Sequence, residues 1–244
     1  MLTNEQLKHY EDQGYIILDQ FFSKAEIDAV TAQIDKLDEQ AEKELQKLGQ
    51  NFLNIPGQIN FNAQLNKKSA DIQRFCCQDK MAAIAMDILG PDVQLYFDQS
   101  VYKRPEANRD FPWHQDNGYA PIEPMHYLTC WIALEDATLE NGCIWVMPES
   151  HKQGFVEHKK TDIGWQCYFE EDPGIPVPLK SGSMVIFHSL LFHRSTPNRS
   201  SATRKGLVLQ YSVAGAVNPE TGIAFDNGPV MTKNGEYVYT LQTR

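Results

Sequence analysis

The chain of 244 residues is 42% hydrophobic and 22% charged, the ordinary balance of a protein that folds around a core. Its formal net charge of −10 argues against nucleic acid or an anionic membrane as the main partner. No apolar run approaches the roughly 20 residues of a membrane span, and the five cysteines form no C-x-x-C pair, which favours a cytoplasmic protein with reduced thiols.

The first third of the chain carries helical patterns. Thr3 with Gln6 and Ser23 with Glu26 are two capping boxes, in which side chains satisfy the free amides at a helix start. Behind the second box, apolar residues recur every three or four positions up to Leu48, which predicts a long amphipathic helix. The other predictions here are a first helix that ends at Gly14, a strand at Tyr15–Leu18, a loop over residues 51–66, and helices over residues 69–77 and Asp79–Leu89.

After Pro91 the pattern changes to short apolar strands. They are predicted over Val93–Lys103 and residues 127–134, 143–148, 183–187, 190–193 and 206–213. Strands without intervening helices indicate a β-sandwich or jelly roll, so the predicted fold class is mostly β with N-terminal helices. We expect one domain over residues 1–244, in which helical residues 1–90 pack on a strand-rich core at 91–215 and residues 216–244 form a C-terminal extension.

The four residues W-H-Q-D at 113–116 are the first candidate site. His114 and Asp116 are two residues apart, and side chains in a strand alternate between its faces, so both can point the same way. One imidazole and one carboxylate are two of the three protein ligands in a 2-His-1-carboxylate iron site. The pair needs a second histidine from a later strand.

Two histidines of the segment F-H-S-L-L-F-H can supply that ligand, His188 and His193. Each is followed at the same spacing by an arginine, Arg199 or Arg204, so spacing does not choose between the two pairs. Placement favours His193 with Arg204, because Arg199 falls in a polar loop whereas Arg204 begins an apolar strand. His188 is then interpreted as a structural histidine.

These residue types fit one kind of chemistry. Two histidines and a carboxylate on one face of Fe(II) leave positions open for the two donor oxygens of 2-oxoglutarate and for O2. The planar guanidinium of Arg204 can hold the distal carboxylate of 2-oxoglutarate by two parallel hydrogen bonds, and the hydroxyl of Ser195 can add another. The sequence therefore predicts Fe(II) as the cofactor, with 2-oxoglutarate and O2 as cosubstrates.

Four motifs in this region resemble the phytanoyl-CoA dioxygenase family of Fe(II)- and 2-oxoglutarate-dependent oxygenases. They are W-H-Q-D-N at 113–117, T-C-W-I-A-L-E-D at 129–136, N-G-C-I-W-V-M-P-E-S-H at 141–151 and F-H-S-L-L-F-H-R-S-T-P-N-R-S at 187–200. The resemblance covers most of the chain. It implies a double-stranded β-helix fold with His114, Asp116 and His193 as the metal ligands.

The resemblance also assigns the cosubstrate site. It implies that Arg204 and Ser195 bind the distal carboxylate of 2-oxoglutarate, and that Trp131 and Gln99 line the same molecule. One departure is Glu149, which stands at a turn where members of the family often carry glycine, and it puts none of the ligands in doubt.

The activity implied by the resemblance is hydroxylation of a C–H bond in a small molecule, with release of succinate and CO2. Asp116 argues against halogenation, because a halogenase carries a small residue in place of that carboxylate. Two alternatives stay open, namely the same oxidant used for desaturation, epoxidation or ring closure, and a metal-binding jelly roll without turnover. Asn117 and Tyr119 are the candidate substrate contacts. Lys103, Arg104 and Arg109 form a small basic cluster that is expected to be solvated, with contact to an anionic substrate as the alternative.

Overall fold

The computed structural model describes residues 1–105, 107–171 and 174–242. In chain order the elements are α1 (Asn4–Gln13), β1 (Tyr15–Leu18), α2 (Lys24–Leu48), β2 (Ile59–Ala63), α3 (Ala70–Cys76), α4 (Asp79–Leu89), β3 (Val93–Lys103), β4 (Phe111–His114), β5 (Leu128–Ala133), β6 (Ile144–Val146), β7 (Lys159–Lys160), β8 (Trp165–Gln166), β9 (Ile175–Val177), β10 (Met184–His188), β11 (His193–Ser195), β12 (Arg204–Val213), β13 (Thr232–Lys233) and β14 (Glu236–Tyr237). Short 3-10 turns lie at Leu65–Lys67, Asp116–Gly118 and Ser150–Gln153.

The helices begin and end where local signals place them. Both capping boxes form. The side chains of Thr3 and Ser23 each accept a hydrogen bond from the amide three residues on, and the Gln6 and Glu26 side chains accept one from the cap amide. Gly14 ends α1 in the left-handed conformation, with φ +83°. The predicted helices are confirmed with boundary shifts of a few residues at most.

Two antiparallel sheets form the core, with strand orders β1-β10-β5-β12-β3-β2 and β4-β11-β6-β9, and they do not close into a continuous barrel. Along β12 the side chains alternate between two layers. Leu207 and Leu209 pack towards the helices, while Val208 packs with Phe111 and Ile144 of the smaller sheet. The predicted fold class, mostly β with N-terminal helices on a jelly-roll core, is confirmed.

The structure differs in detail from the sequence-based expectations at three places. The stretch predicted as a loop over residues 51–66 contains β2, which pairs with β3. The strand predicted over residues 190–193 lies slightly later, because β11 begins only at His193. Strand β4 ends at His114, so Asp116 lies in the following 3-10 turn rather than in the strand.

The regions outside residues 91–215 are tied to the main sheet. Strands β1 and β2 form its two edges, and the C-terminal segment returns to β3, where the Met231 amide donates to the Val93 carbonyl at 2.8 Å. We therefore propose that the chain is one domain. None of the helices in the described residues is both long and apolar enough to cross a bilayer.

Candidate metal and cosubstrate site

Three predicted ligands meet between the two sheets. His114 ends β4 and lies directly opposite His193, the first residue of β11, in the antiparallel register. Asp116 follows in the 3-10 turn. One potential ligand atom from each residue lies within 4.8 Å of the other two, and no other three His, Cys, Asp or Glu side chains of the described residues gather in this way.

Backbone carbonyls determine which nitrogen of each imidazole is free. His114 Nδ1 lies 2.8 Å from the Pro112 carbonyl oxygen, and His193 Nδ1 lies 3.0 Å from that of Leu191. A carbonyl only accepts, so each Nδ1 carries the proton and each Nε2 keeps its lone pair for a metal. The two Nε2 atoms lie 3.9 and 3.5 Å from Asp116 Oδ1. Burial, together with the neighbouring His193, lowers the pKa of His114 to about 3, so this imidazole is neutral.

The carboxylate of Asp116 is held by two side chains that the sequence patterns did not single out. Its Oδ2 accepts from Thr129 Oγ1 at 2.5 Å and from Gln210 Nε2 at 3.0 Å. Burial alone raises the pKa of Asp116, but the interactions with His193 and His114 and the hydrogen bond from Thr129 outweigh it and hold the pKa below its usual range. The anion is thus fixed with Oδ1 towards both histidines, an arrangement that suits a divalent metal.

Thr129→Val tests this anchoring, because valine keeps the shape of threonine but cannot donate to Asp116. We expect the affinity for Fe(II), measured anaerobically by calorimetry, to fall about tenfold to a hundredfold, as when other groups that orient metal ligands are removed. Thr129→Ser keeps the hydroxyl and is expected to restore most of the affinity. Equal affinities in the valine variant and the wild type would show that the hydrogen bond does not position the ligand.

Arg204 lies in the same cavity without a hydrogen-bond or ion-pair partner among the described residues. It begins β12, its side chain is 1% exposed, and none of its three guanidinium nitrogens has a hydrogen-bond partner. Burial lowers the pKa of Arg204 to about 10, which still leaves it charged at neutral pH. A buried, unpaired cation is costly, so this site fits an anionic group such as the distal carboxylate of 2-oxoglutarate.

Gly206 and Trp131 complete the wall beside Arg204. The Arg204 guanidinium carbon lies 5.2 Å from the Trp131 ring centre. A Cβ on Gly206 would come within 2.5 Å of the same indole, so only glycine lets Trp131 lie across β12. Arg204 and Gly206 are two positions apart on β12 and therefore share a face. This spacing is the sequence signal that places Gly206 beside the arginine.

The cavity has a volume of about 300 Å³. Among the predicted contacts, the metal triad, Arg204, Ser195, Trp131, Gln99 and Tyr119 line it. Asn117 does not, because its side-chain amide donates to the Met125 carbonyl at 2.9 Å. His188 lies elsewhere and stacks on His126, with ring centres 4.0 Å apart.

Lys103 was predicted to be solvated and is instead fully buried. It lies opposite Arg204 in the β3–β12 register, so its side chain joins the face that lines the cavity. The alternation of β3 carried this information, but the neighbouring Arg104 made the pair look like a surface cluster. Arg104 is mostly covered too, 2.6 Å from the carboxylate of Asp38.

Several known proteins are similar to this chain in sequence. Phytanoyl-CoA dioxygenase of Arabidopsis thaliana is 27% identical, and the match covers 98% of each chain. The human peroxisomal phytanoyl-CoA dioxygenase is 25% identical over 88% of this chain and 69% of that protein. Methylphosphonate hydroxylase of Gimesia maris is 28% identical over 86% of this chain and 81% of that protein.

Solved structures share the fold at low identity. The α-ketoglutarate-dependent carbocyclase SnoK from nogalamycin biosynthesis superposes with a TM-score of 0.72 at 22% identity, covering 89% of this chain and 86% of SnoK. EvdO2 from Micromonospora carbonacea, in complex with 2-oxoglutarate, gives 0.70 at 18% identity, with coverages of 93% and 96%. A model of the phytanoyl-CoA dioxygenase (PhyH) family matches residues 10–206. The chain therefore belongs to the phytanoyl-CoA dioxygenase family of non-haem iron, 2-oxoglutarate-dependent oxygenases.

Proposed function

We propose that this enzyme hydroxylates a small molecule, with His114, Asp116 and His193 as iron ligands and with Arg204 and Ser195 holding 2-oxoglutarate. The observation that carries the proposal is the set of three unpartnered guanidinium nitrogens in the cavity of the His-Asp-His group. When bound, Fe(II) and 2-oxoglutarate activate O2 for oxidation of a C–H bond, releasing succinate and CO2. A metal-binding jelly roll without turnover has no need of this buried cation.

The residues around the cavity orient the metal ligands and line the place for the cosubstrate. Thr129 and Gln210 orient Asp116, and the two backbone carbonyls orient the histidines, so the ligand set is preorganised. Trp131, with Gln99, lines the place for the cosubstrate. The cavity lies at the lower end of the range of about 300–1,000 Å³ for small-molecule sites, and it is shared with 2-oxoglutarate, which supports a small substrate.

Turnover tests the proposal directly. We expect the purified enzyme, supplied with Fe(II), 2-oxoglutarate and O2, to form succinate slowly without substrate and faster when a substrate is present. The Arg204→Ala variant serves as the matched control and is expected to lose this activity at the same 2-oxoglutarate concentration. No succinate above the rate of free Fe(II), with any substrate, would contradict the proposal and favour a metal-binding protein without turnover.

A further inference from the structure

Outside the residues assigned to iron and 2-oxoglutarate, the cavity lining is apolar and rich in aromatic rings. Its rings are Phe61, Tyr96, Phe97, Phe111, Tyr119, Tyr127 and Phe187, with aliphatic Leu53, Val101, Ala120, Ile144 and Val208 among them. Phe61 and Phe111 rings lie 5.1 Å apart, and the rings of Phe111 and Tyr119 lie 4.9 and 5.4 Å from that of His114. The aromatic wall thus begins at a metal ligand, where a reacting C–H bond must lie.

The described lining offers this aromatic part no free charge. The metal triad and three tyrosines are ionisable residues of the lining. The remaining ionisable lining residues are two cations, Arg194 and Arg204. Arg194 stands between His193 and Ser195 on β11, so its side chain lies on the other face of the strand from theirs. Its guanidinium carbon lies 5.0 and 5.3 Å from the rings of Trp145 and Trp113. A charged substrate group would lose its water here without gaining an oppositely charged partner.

Two neutral hydroxyls do remain for a substrate. The Tyr96 and Tyr127 ring centres lie 5.0 Å apart, and neither hydroxyl makes a hydrogen bond with a described residue. By contrast, the Tyr119 hydroxyl accepts from the Trp165 amide at 3.0 Å. Burial raises the pKa of Tyr96 to about 12, so its hydroxyl stays protonated and able to donate. Both tyrosines line the cavity, so a ligand oxygen there can supply the hydrogen-bond partner that a hydroxyl in a protein interior normally has.

We infer that the substrate is an uncharged, largely apolar molecule with a ring or flat face and an oxygen that meets Tyr96 and Tyr127. Aromatic walls favour such flat, apolar bodies. A phosphonate would place its charge in this uncharged part of the cavity. This inference rests on the proposed function, because it takes the iron and 2-oxoglutarate to occupy the opposite end.

A matched ligand pair tests the substrate class. The probes are cyclohexanone and cyclohexanecarboxylate, which share a ring but differ in charge, together with methylphosphonate and hexanoyl-CoA. Binding is read anaerobically from the change in the visible charge-transfer spectrum of the enzyme with Fe(II) and 2-oxoglutarate. We expect cyclohexanone to bind at least about tenfold more tightly than each anionic probe, and Tyr127→Phe to weaken its binding by up to about tenfold through the lost hydrogen bond.

The outcomes separate this inference from the proposed function. The inference would be overturned if methylphosphonate, hexanoyl-CoA or cyclohexanecarboxylate bound more tightly than cyclohexanone. It would also be overturned if the charge-transfer spectrum formed but no probe changed it. In both cases the spectrum itself would still support the iron and 2-oxoglutarate site. Absence of the spectrum would instead contradict the proposed function.

A second inference concerns Lys103 and rests on its own contacts. Its Nζ donates to Ser195 Oγ at 3.0 Å, to the Ser195 carbonyl at 3.4 Å and to the Thr196 carbonyl at 2.6 Å. Three acceptors match the three protons of an ammonium group. Burial, and then the charge of Arg204, lower the pKa of Lys103 well below its usual value. An anion beside both cations relieves this repulsion.

The direction of these hydrogen bonds determines what Ser195 can do. When an anion lies beside both cations, Lys103 is held as an ammonium, which only donates, so Ser195 Oγ accepts from it. The hydroxyl proton of Ser195 is then free for another acceptor, and Ser195 lines the cavity together with Arg204. The geometry points to Lys103 as a positioning residue that presents the Ser195 hydroxyl, as a donor, to the distal carboxylate. This too rests on the proposed function.

Two 2-oxo acids that differ at the distal end test this role. 2-Oxobutanoate lacks the distal carboxylate, so a merely structural effect of Lys103 would change its affinity as much as that of 2-oxoglutarate. We expect Lys103→Met to lower the affinity for 2-oxoglutarate about tenfold, read from the charge-transfer spectrum, with little change for 2-oxobutanoate. Lys103→Arg, which keeps the charge and donors, is expected to recover part of the loss.

A double variant shows whether Lys103 acts through Ser195. Because both belong to one hydrogen-bonded unit, adding Ser195→Ala to Lys103→Met is expected to cause little further loss of affinity. Fully additive losses, or equal losses for both 2-oxo acids, would overturn the role. If Lys103→Met does not fold, Lys103→Gln replaces it in the same comparison. Ser195→Ala alone must still lower the affinity for 2-oxoglutarate more than that for 2-oxobutanoate.

Discussion

Arg204→Ala is expected to weaken 2-oxoglutarate binding about a hundredfold while leaving the affinity for Fe(II) nearly unchanged. Removing one partner of a buried, hydrogen-bonded charge pair typically costs about 2–5 kcal/mol, and Arg204 is the unpartnered buried cation of the cavity. It makes no hydrogen bond to His114, Asp116 or His193, so the metal ligands keep their geometry. Anaerobic titrations with 2-oxoglutarate and with Fe(II) measure the two affinities separately.

Arg199→Ala is the matched control for this prediction. Arg199 follows His188 at the spacing by which Arg204 follows His193, but its side chain is exposed and lies outside the cavity lining. We expect no loss of 2-oxoglutarate affinity in this variant. A large loss from Arg199→Ala with none from Arg204→Ala would show that the other histidine–arginine pair forms the site.

His193→Ala is expected to lower Fe(II) affinity more than about a hundredfold, beyond the effect of losing a group that only orients a ligand. The substitution removes one of three protein donors and leaves Asp116 Oδ1 with a single imidazole nearby. Anaerobic calorimetry with Fe(II) measures the loss, and circular dichroism checks that the variant is folded.

His188→Gln is the control for the metal site. The His188 ring stacks on His126 and Tyr10, in a cluster separate from the triad. We expect this variant to bind Fe(II) like the wild type, with any effect confined to thermal stability. Loss of metal from His188→Gln with full binding by His193→Ala would reverse the ligand assignment.

The parts of the fold that the sequence predicted well depend on short-range signals. The capping boxes of Thr3 and Ser23 and the helix-ending Gly14 act within four residues, so the boundaries of α1 and α2 follow from the sequence. Strand β3 was predicted with its observed bounds because prolines flank a run rich in valine, tyrosine and phenylalanine, residue types that favour strands. Local chemistry is sufficient for such elements.

The parts that were missed depend on partners distant in sequence. Strand β2 is rich in asparagine and forms because the edge of β3 is available to it. Spacing along the chain does not encode the pairing of β11 with β4, so His193 was preferred over His188 only from the placement of the arginine that follows it. Thr129 and Gln210 likewise reach Asp116 because β5 and β12 are neighbours in the sheet.

The same limit applies to charge. Lys103 and Arg104 are adjacent cations in the sequence, but Lys103 ends β3 beside Arg204, whereas Arg104 follows the strand and pairs with Asp38. Lysines are usually exposed unless they pair with a carboxylate. Lys103 is buried without such a pair among the described residues, and exceptions of this kind occur at functional sites.

The most direct measurement is an anaerobic titration of the protein with Fe(II) and 2-oxoglutarate, followed by visible absorption. A single site made by His114, Asp116, His193 and Arg204 requires a charge-transfer band that needs both components and saturates at one equivalent of each per chain. The band should persist in Arg199→Ala and be absent from His193→Ala under the same conditions. Absence of the band in the wild-type protein, or an undiminished band in His193→Ala, would contradict the site.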